Sequence, residues 1–263
     1  MKRIIYILTL LLTVSPVLAD DHDHGHEAEH HHFDISPYLV DGQLLAGGLT
    51  HDGDTFAPPI TVFGYAFGED AADPYNPADP GVNQLAGVGN LPVGAALSYD
   101  ILSSLLYWDG SGEPAFGDPG DALIVLGIGS SANDRTLTGT SGPQAGAFIQ
   151  SVAQGVTDGV ELGGGVVHKH FTTELYATAG ASNVPDIGDP SYVEPPAGMY
   201  AFQIGLALVD GSETYRSEPL WVVFNNGLDE HAHEEAMAYL VPEPASIFLL
   251  AGAGGWLVAR RRR

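Results

Sequence analysis

Two pairs of side chains stand two residues apart and carry metal-binding groups. They are His32 with Asp34 in "HHFDI" and His168 with His170 in "VVHKHF". On a β-strand, residues i and i+2 point to the same face. His168 and His170 would then project together, with Lys169 opposite. Imidazole nitrogens hold zinc at ~2.0–2.1 Å, and a closed site takes four such N or O donors in a tetrahedron. Two pairs from adjacent strands would supply that set. His51, in "LTHDGD", is a spare donor. An imidazole ligand must be neutral, so zinc affinity should fall below about pH 6.

The remaining histidines form an arm and a late pair, His231 and His233. The arm, "DDHDHGHEAEHHH", spans residues 20–32 and has no apolar residue but Ala28. It cannot bury a core and reads as a disordered segment. His22, His24, His26, His30 and His31 make it an accessory metal arm, of modest affinity because ordering it costs entropy.

Other chemistry finds less support. Glu69, Asp70, Asp73 and Asp79, with Asp52 and Asp54 before them, form a carboxylate-rich stretch suited to Ca2+. Their spacing is not that of an EF-hand. "ELGGGVVH" is not followed by Gly-Lys-Ser/Thr, so a phosphate loop is not expected. "GTSGPQAG" lacks the Gly-x-Ser-x-Gly elbow. A glycosidase needs two acids across a cleft, and no spacing picks them out.

Composition narrows the classes further. The chain has 263 residues and a net charge of −24. Of its nine basic residues only Arg135, Lys169 and Arg216 lie between the ends. Such a body repels nucleic acid and attracts cations. With no cysteine, thiolate sites and disulfides are ruled out.

The elements that must position these groups read as all-β. Short apolar runs are cut by Gly, Pro, Asp and Asn. Candidate strands are 43–48, 60–66, 97–108, 122–128, 147–152, 165–176, 200–209 and 220–224. "DGQ", "GEDAADPYNPADPG", "DGSGEP" and "GSETYRS" read as turns or loops. "MYAFQIGLALVD" alternates strictly, with Tyr200, Phe202, Ile204, Leu206 and Leu208 on one face, which predicts a strand buried on one side. "LSSLLYW" admits one or two helical turns instead. "DEHAHEEAMAYL" has the pattern of a short helix. The expected architecture is a single β-sandwich or jelly roll over 33–228. Residues 229–240 then form a spacer before the C-terminal segment 241–263.

The ends are addresses. Residues 1–19 have a basic start, an apolar run and small residues at Val17 and Ala19, as in a secretory signal peptide cut by signal peptidase. At the other end, Pro242-Glu243-Pro244 precedes the apolar run Ala245–Ala259, and Arg260, Arg261, Arg262 and Arg263 follow. Positive charge marks the cytoplasmic side of a membrane segment. About 15 apolar residues make a ~22 Å helix, a short span.

This order of motif, apolar helix and arginines resembles the PEP-CTERM sorting tail of Gram-negative bacteria. The resemblance implies an exported precursor anchored in the inner membrane by one transmembrane helix. An exosortase then passes it to the cell surface or extracellular matrix, often where exopolysaccharide is made. The body resembles cyanobacterial zinc-repressed PEP-CTERM proteins and related surface-anchored domains of actinobacteria. The likeness rests on His32-Phe33-Asp34, His168-Lys169-His170, Ala197-Gly198-Met199-Tyr200 and the strands that follow. It departs from their pattern at "PAG" and through "ELYATAGASNVPDIGDPSYVE". It implies a surface binder of zinc or manganese rather than a catalyst. The competing readings are a structural or adhesive, exopolysaccharide-associated protein with incidental histidines, and an extracellular hydrolase.

Overall fold

The alternation of apolar and polar residues is realised as strands through most of the body. The computed structural model describes residues 33–50, 59–68, 71–77, 80–85, 91–129, 131–157, 160–185 and 188–241. The signal segment, the histidine arm with His32, the segment with His51, and Pro242 onward lie outside the described residues. In chain order the strands are β1 (Phe33–Val40), β2 (Gln43–Thr50), β3 (Val62–Ala66), β4 (Gly81–Gln84) and β5 (Ala96–Ile101). Then come β6 (Leu106–Trp108), β7 (Leu123–Gly127), β8 (Arg135–Leu137), β9 (Phe148–Ser151) and β10 (Ala153–Thr157). The last are β11 (Val160–His170), β12 (Thr172–Tyr176), β13 (Gly198–Asp210), β14 (Glu213–Arg216) and β15 (Leu220–Asn226). One α-helix, α1 (Glu230–Leu240), closes the described chain.

Three sheets surround one core, an all-β fold. The first has the order β10-β11-β4-β1-β2, the second β12-β7-β8, and the third β3-β15-β13-β5-β9, with β14 and β6 also on β13. Ile35, Val82 and Val167 from the first sheet, Ile124 and Leu175 from the second, and Tyr99, Phe202 and Phe224 from the third share the same buried cluster. A tight turn joins β1 to β2. Asp41 and Gly42 both take positive φ, +50° and +78°, which a two-residue hairpin turn requires.

Several expectations change. The run 97–108 is not one strand. Leu102–Leu105 breaks it into β5 and β6, and "LSSLLYW" forms no helix. Ser103 explains the break, because its hydroxyl accepts from the Gln203 amide (2.9 Å) where a ladder partner would otherwise sit. The run 165–176 divides at the buried Phe171 into β11 and β12, which lie in different sheets. "GSETYRS" contains a strand, β14, after the Gly211 turn.

Strand β13 is buried on both faces in its first half rather than on one. Its even-numbered residues from Tyr200 to Leu208 enter the main core. Met199 and Ala201 instead join Trp108, Val223, Ala236 and Leu240 in a second cluster. The cover is α1, so residues 229–240 are packed against the body rather than set apart from it. Asp229 caps the helix, its carboxylate accepting from the Ala232 amide at 2.9 Å. Gly64 on β3 lets the helix approach. The space a β-carbon would fill there is taken by Met237 Sδ, with His233 Nε2 2.6 Å from it.

Candidate metal centre

Strand register brings three of the predicted donors, Asp34, His168 and His170, to one face. In β11, Val167 is buried in the core while His168 and His170 are exposed. β11 runs antiparallel to β4, setting His168 opposite Asn83 and His170 opposite Gly81. β4 runs parallel to β1 through Ile35 and Val82, both core residues. Asp34 therefore shares the outer face with Gly81, Asn83, His168 and His170.

The two expected strands are not adjacent, because β4 lies between them. Sequence reading missed β4, a four-residue strand at the end of a turn-rich stretch. The gap is bridged at Gly81. The space of a β-carbon at Gly81 is occupied by the Asp34 carboxylate, with His170 Nδ1 3.3 Å from it. Asn83 Nδ2 donates to Asp34 Oδ2 at 3.2 Å. Asp34 is only 6% exposed, and a carboxylate that deep needs polar or charged company.

The histidine pair itself is closely set. His168 Nε2 and His170 Nε2 lie 3.0 Å apart, with ring centroids 5.0 Å apart. Two nitrogens bound to one tetrahedral zinc at ~2.0–2.1 Å lie ~3.3 Å apart, so the pair is close to that spacing. The pair lines an open depression of about 470 Å3 with Gly129, Lys169 and Thr172. Among the described residues no cluster of three or more His, Asp or Glu side chains is gathered closely enough to hold an ion.

Beyond the change of sheet at Phe171, Thr172, Glu174 and Tyr176 are the more exposed residues of β12. Thr172 pairs with Gly127, over which the Asp134 carboxylate lies. The Tyr176 hydroxyl donates to Glu174. Burial first, then that carboxylate and the charges of Asp73 and Asp134, push the Tyr176 pKa up. The neighbourhood is thus anionic.

His32 and His51 are outside the described residues. The β1–β2 ladder ends at Phe33 paired with Thr50, and in sequence His32 directly precedes the one and His51 directly follows the other. His231 and His233 do not form a site. They stand on a helix, where i and i+2 diverge. His231 Nε2 lies 3.4 Å from Glu235 Oε1, while His233 is buried on the face of α1 that meets Gly64. Of the acids considered for calcium, Asp73 alone is described; its Oδ2 accepts from Asn76 Nδ2 at 3.2 Å.

Residues 240–263 match the family described as the PEP-CTERM protein-sorting motif. No curated protein and no solved structure matches the chain. The sorting motif makes the chain an exosortase-sorted surface protein, exported as a membrane-associated precursor. No helix among the described residues is long and apolar enough to cross a membrane.

Proposed function

We propose that the exported body binds a divalent metal ion, zinc by its donor chemistry, and acts as a binder rather than a catalyst. The carrying observation is the 3.0 Å approach of His168 Nε2 and His170 Nε2, with the Asp34 carboxylate reaching over Gly81 beside His170. His32 is the fourth ligand of this reading and His51 its spare. The acidic body raises the local cation concentration, and the arm from His22 to His31 delivers or buffers metal.

Calorimetric titration of Zn2+ into the exported chain lacking residues 20–31 tests the site without the arm. A saturable heat that disappears in the His168→Ala/His170→Ala variant is expected. Identical heats from the two proteins would sink the proposal. Repeating the titration from pH 7.5 to 5 should show affinity falling as imidazoles protonate.

A further inference from the structure

The sorting match begins at Leu240, a residue buried against the body at the end of α1. Between Val241 and the apolar run opening at Ala245 stand only Pro242, Glu243 and Pro244. Four residue steps reach at most ~14 Å when fully extended. The polar layer on each side of a bilayer is itself ~5–7 Å thick. A membrane-inserted tail therefore cannot hold the body at a distance, and the end of α1 stands at the lipid surface.

That end is built differently from the rest of the helix. Glu230, Glu234 and Glu235 occupy its first half, whereas residues 236–241, "AMAYLV", carry no charge. Tyr239 is 59% exposed and Val241 50%. Phe116 stacks on Tyr239 with centroids 6.1 Å apart, and Trp108 lies behind it at 6.5 Å. Aromatic rings with one apolar body and one polar tip settle at headgroup level. With the helix's own carboxylates at its far end, Glu243 is the only acid between Tyr239 and the apolar run, which limits repulsion from anionic lipid.

We propose that Tyr239, Val241 and Phe116 form a lipid-contact surface that seats the body on the bilayer while the tail is inserted. The surface is independent of the metal site and rests on the membrane association of the sorting tail. The bound partner is the headgroup region of the bilayer.

The absence of cysteine allows single-site labelling. Tyr239→Cys, Val241→Cys, Val40→Cys and Gly254→Cys variants of the full exported chain carry a nitrobenzoxadiazole label. Each is reconstituted into phosphatidylcholine vesicles with a minor share of phosphatidylglycerol, doped with headgroup-level or deep spin-labelled lipid. Val40, 46% exposed on the β1–β2 hairpin, is the control. Headgroup-level quenching at 239 and 241 about threefold or more above that at 40 is expected for an interfacial footing. Deep quenching at 254 with 239 and 241 no better quenched than 40 overturns the footing. An unquenched 254 label overturns it too, by removing the inserted tail, and neither result touches the zinc titration.

Discussion

The outer face of β13 and β15 and the outer face of β11, β4 and β1 are made by the same alternation and finished in opposite ways. On the first, Met199, Ala201 and Val223 are small or flexible and apolar, and α1 seals them with Ala236 and Leu240. On the second, Asn83, His168 and His170 share the face of Asp34, and among the described residues no helix covers them. Apolar side chains on an outward face demand a cover, because leaving them in water forgoes ~25 cal/mol per Å2. Imidazoles and amides make no such demand, so that face remains free to meet a solute.

Substitutions should keep the two faces apart. The largest effect belongs to the sealed one. Ala236 has no exposed surface, so Ala236→Asp would bury an unpaired carboxylate and cost about 3 kcal/mol. Thermal unfolding reads it, and an unchanged midpoint would mean that α1 is not seated.

Gly81→Ala should cost less, about 1–3 kcal/mol, because the new methyl group meets the Asp34 carboxylate. It should also weaken zinc binding about tenfold if Asp34 serves the ion; ten times weaker binding corresponds to about 1.4 kcal/mol. Lost stability with unaltered zinc affinity would separate Asp34 from the metal.

The smallest stability change should come from His168→Ala/His170→Ala, within about 0.5 kcal/mol for exposed side chains. That variant loses zinc binding all the same. A destabilisation as large as that of Gly81→Ala would recast the pair as a structural element.

Strand β13 shows how far the sequence could be read. Tyr200 to Leu208 alternate so regularly that their inward face was evident. The opposite face was not, because Met199 and Ala201 are compatible with either solvent or a cover, and their cover is a helix formed after β15. The His168–His170 pair was legible because i, i+2 spacing is local. Its relation to Asp34 was not, since it depends on β4, whose "GVNQ" is too short to show a period. Gly81 looked like turn chemistry after Asp79-Pro80. Its role is to leave room for a carboxylate from a neighbouring strand, and no sequence signal distinguishes those two uses of glycine. Phe171 gave no local mark of the sheet change, for an apolar residue in an apolar run is what an uninterrupted strand also contains.

Because α1 joins the tail to β15, it also sets how the body meets tension. Pull applied through a membrane-held tail arrives at Val241 and must peel Leu240, Met237 and Ala236 from the sheet before it reaches β15. Unwinding 11 helical residues, from 1.5 Å to at most ~3.6 Å each, releases a little over ~20 Å of slack. The helix is in that sense a mechanical fuse, yielding a short extension while the ladders of β15 with β3 and β13 stay intact. Single-molecule pulling from the C-terminus should record that step ahead of the main rupture, and a trace without it would place the first failure in the sheet.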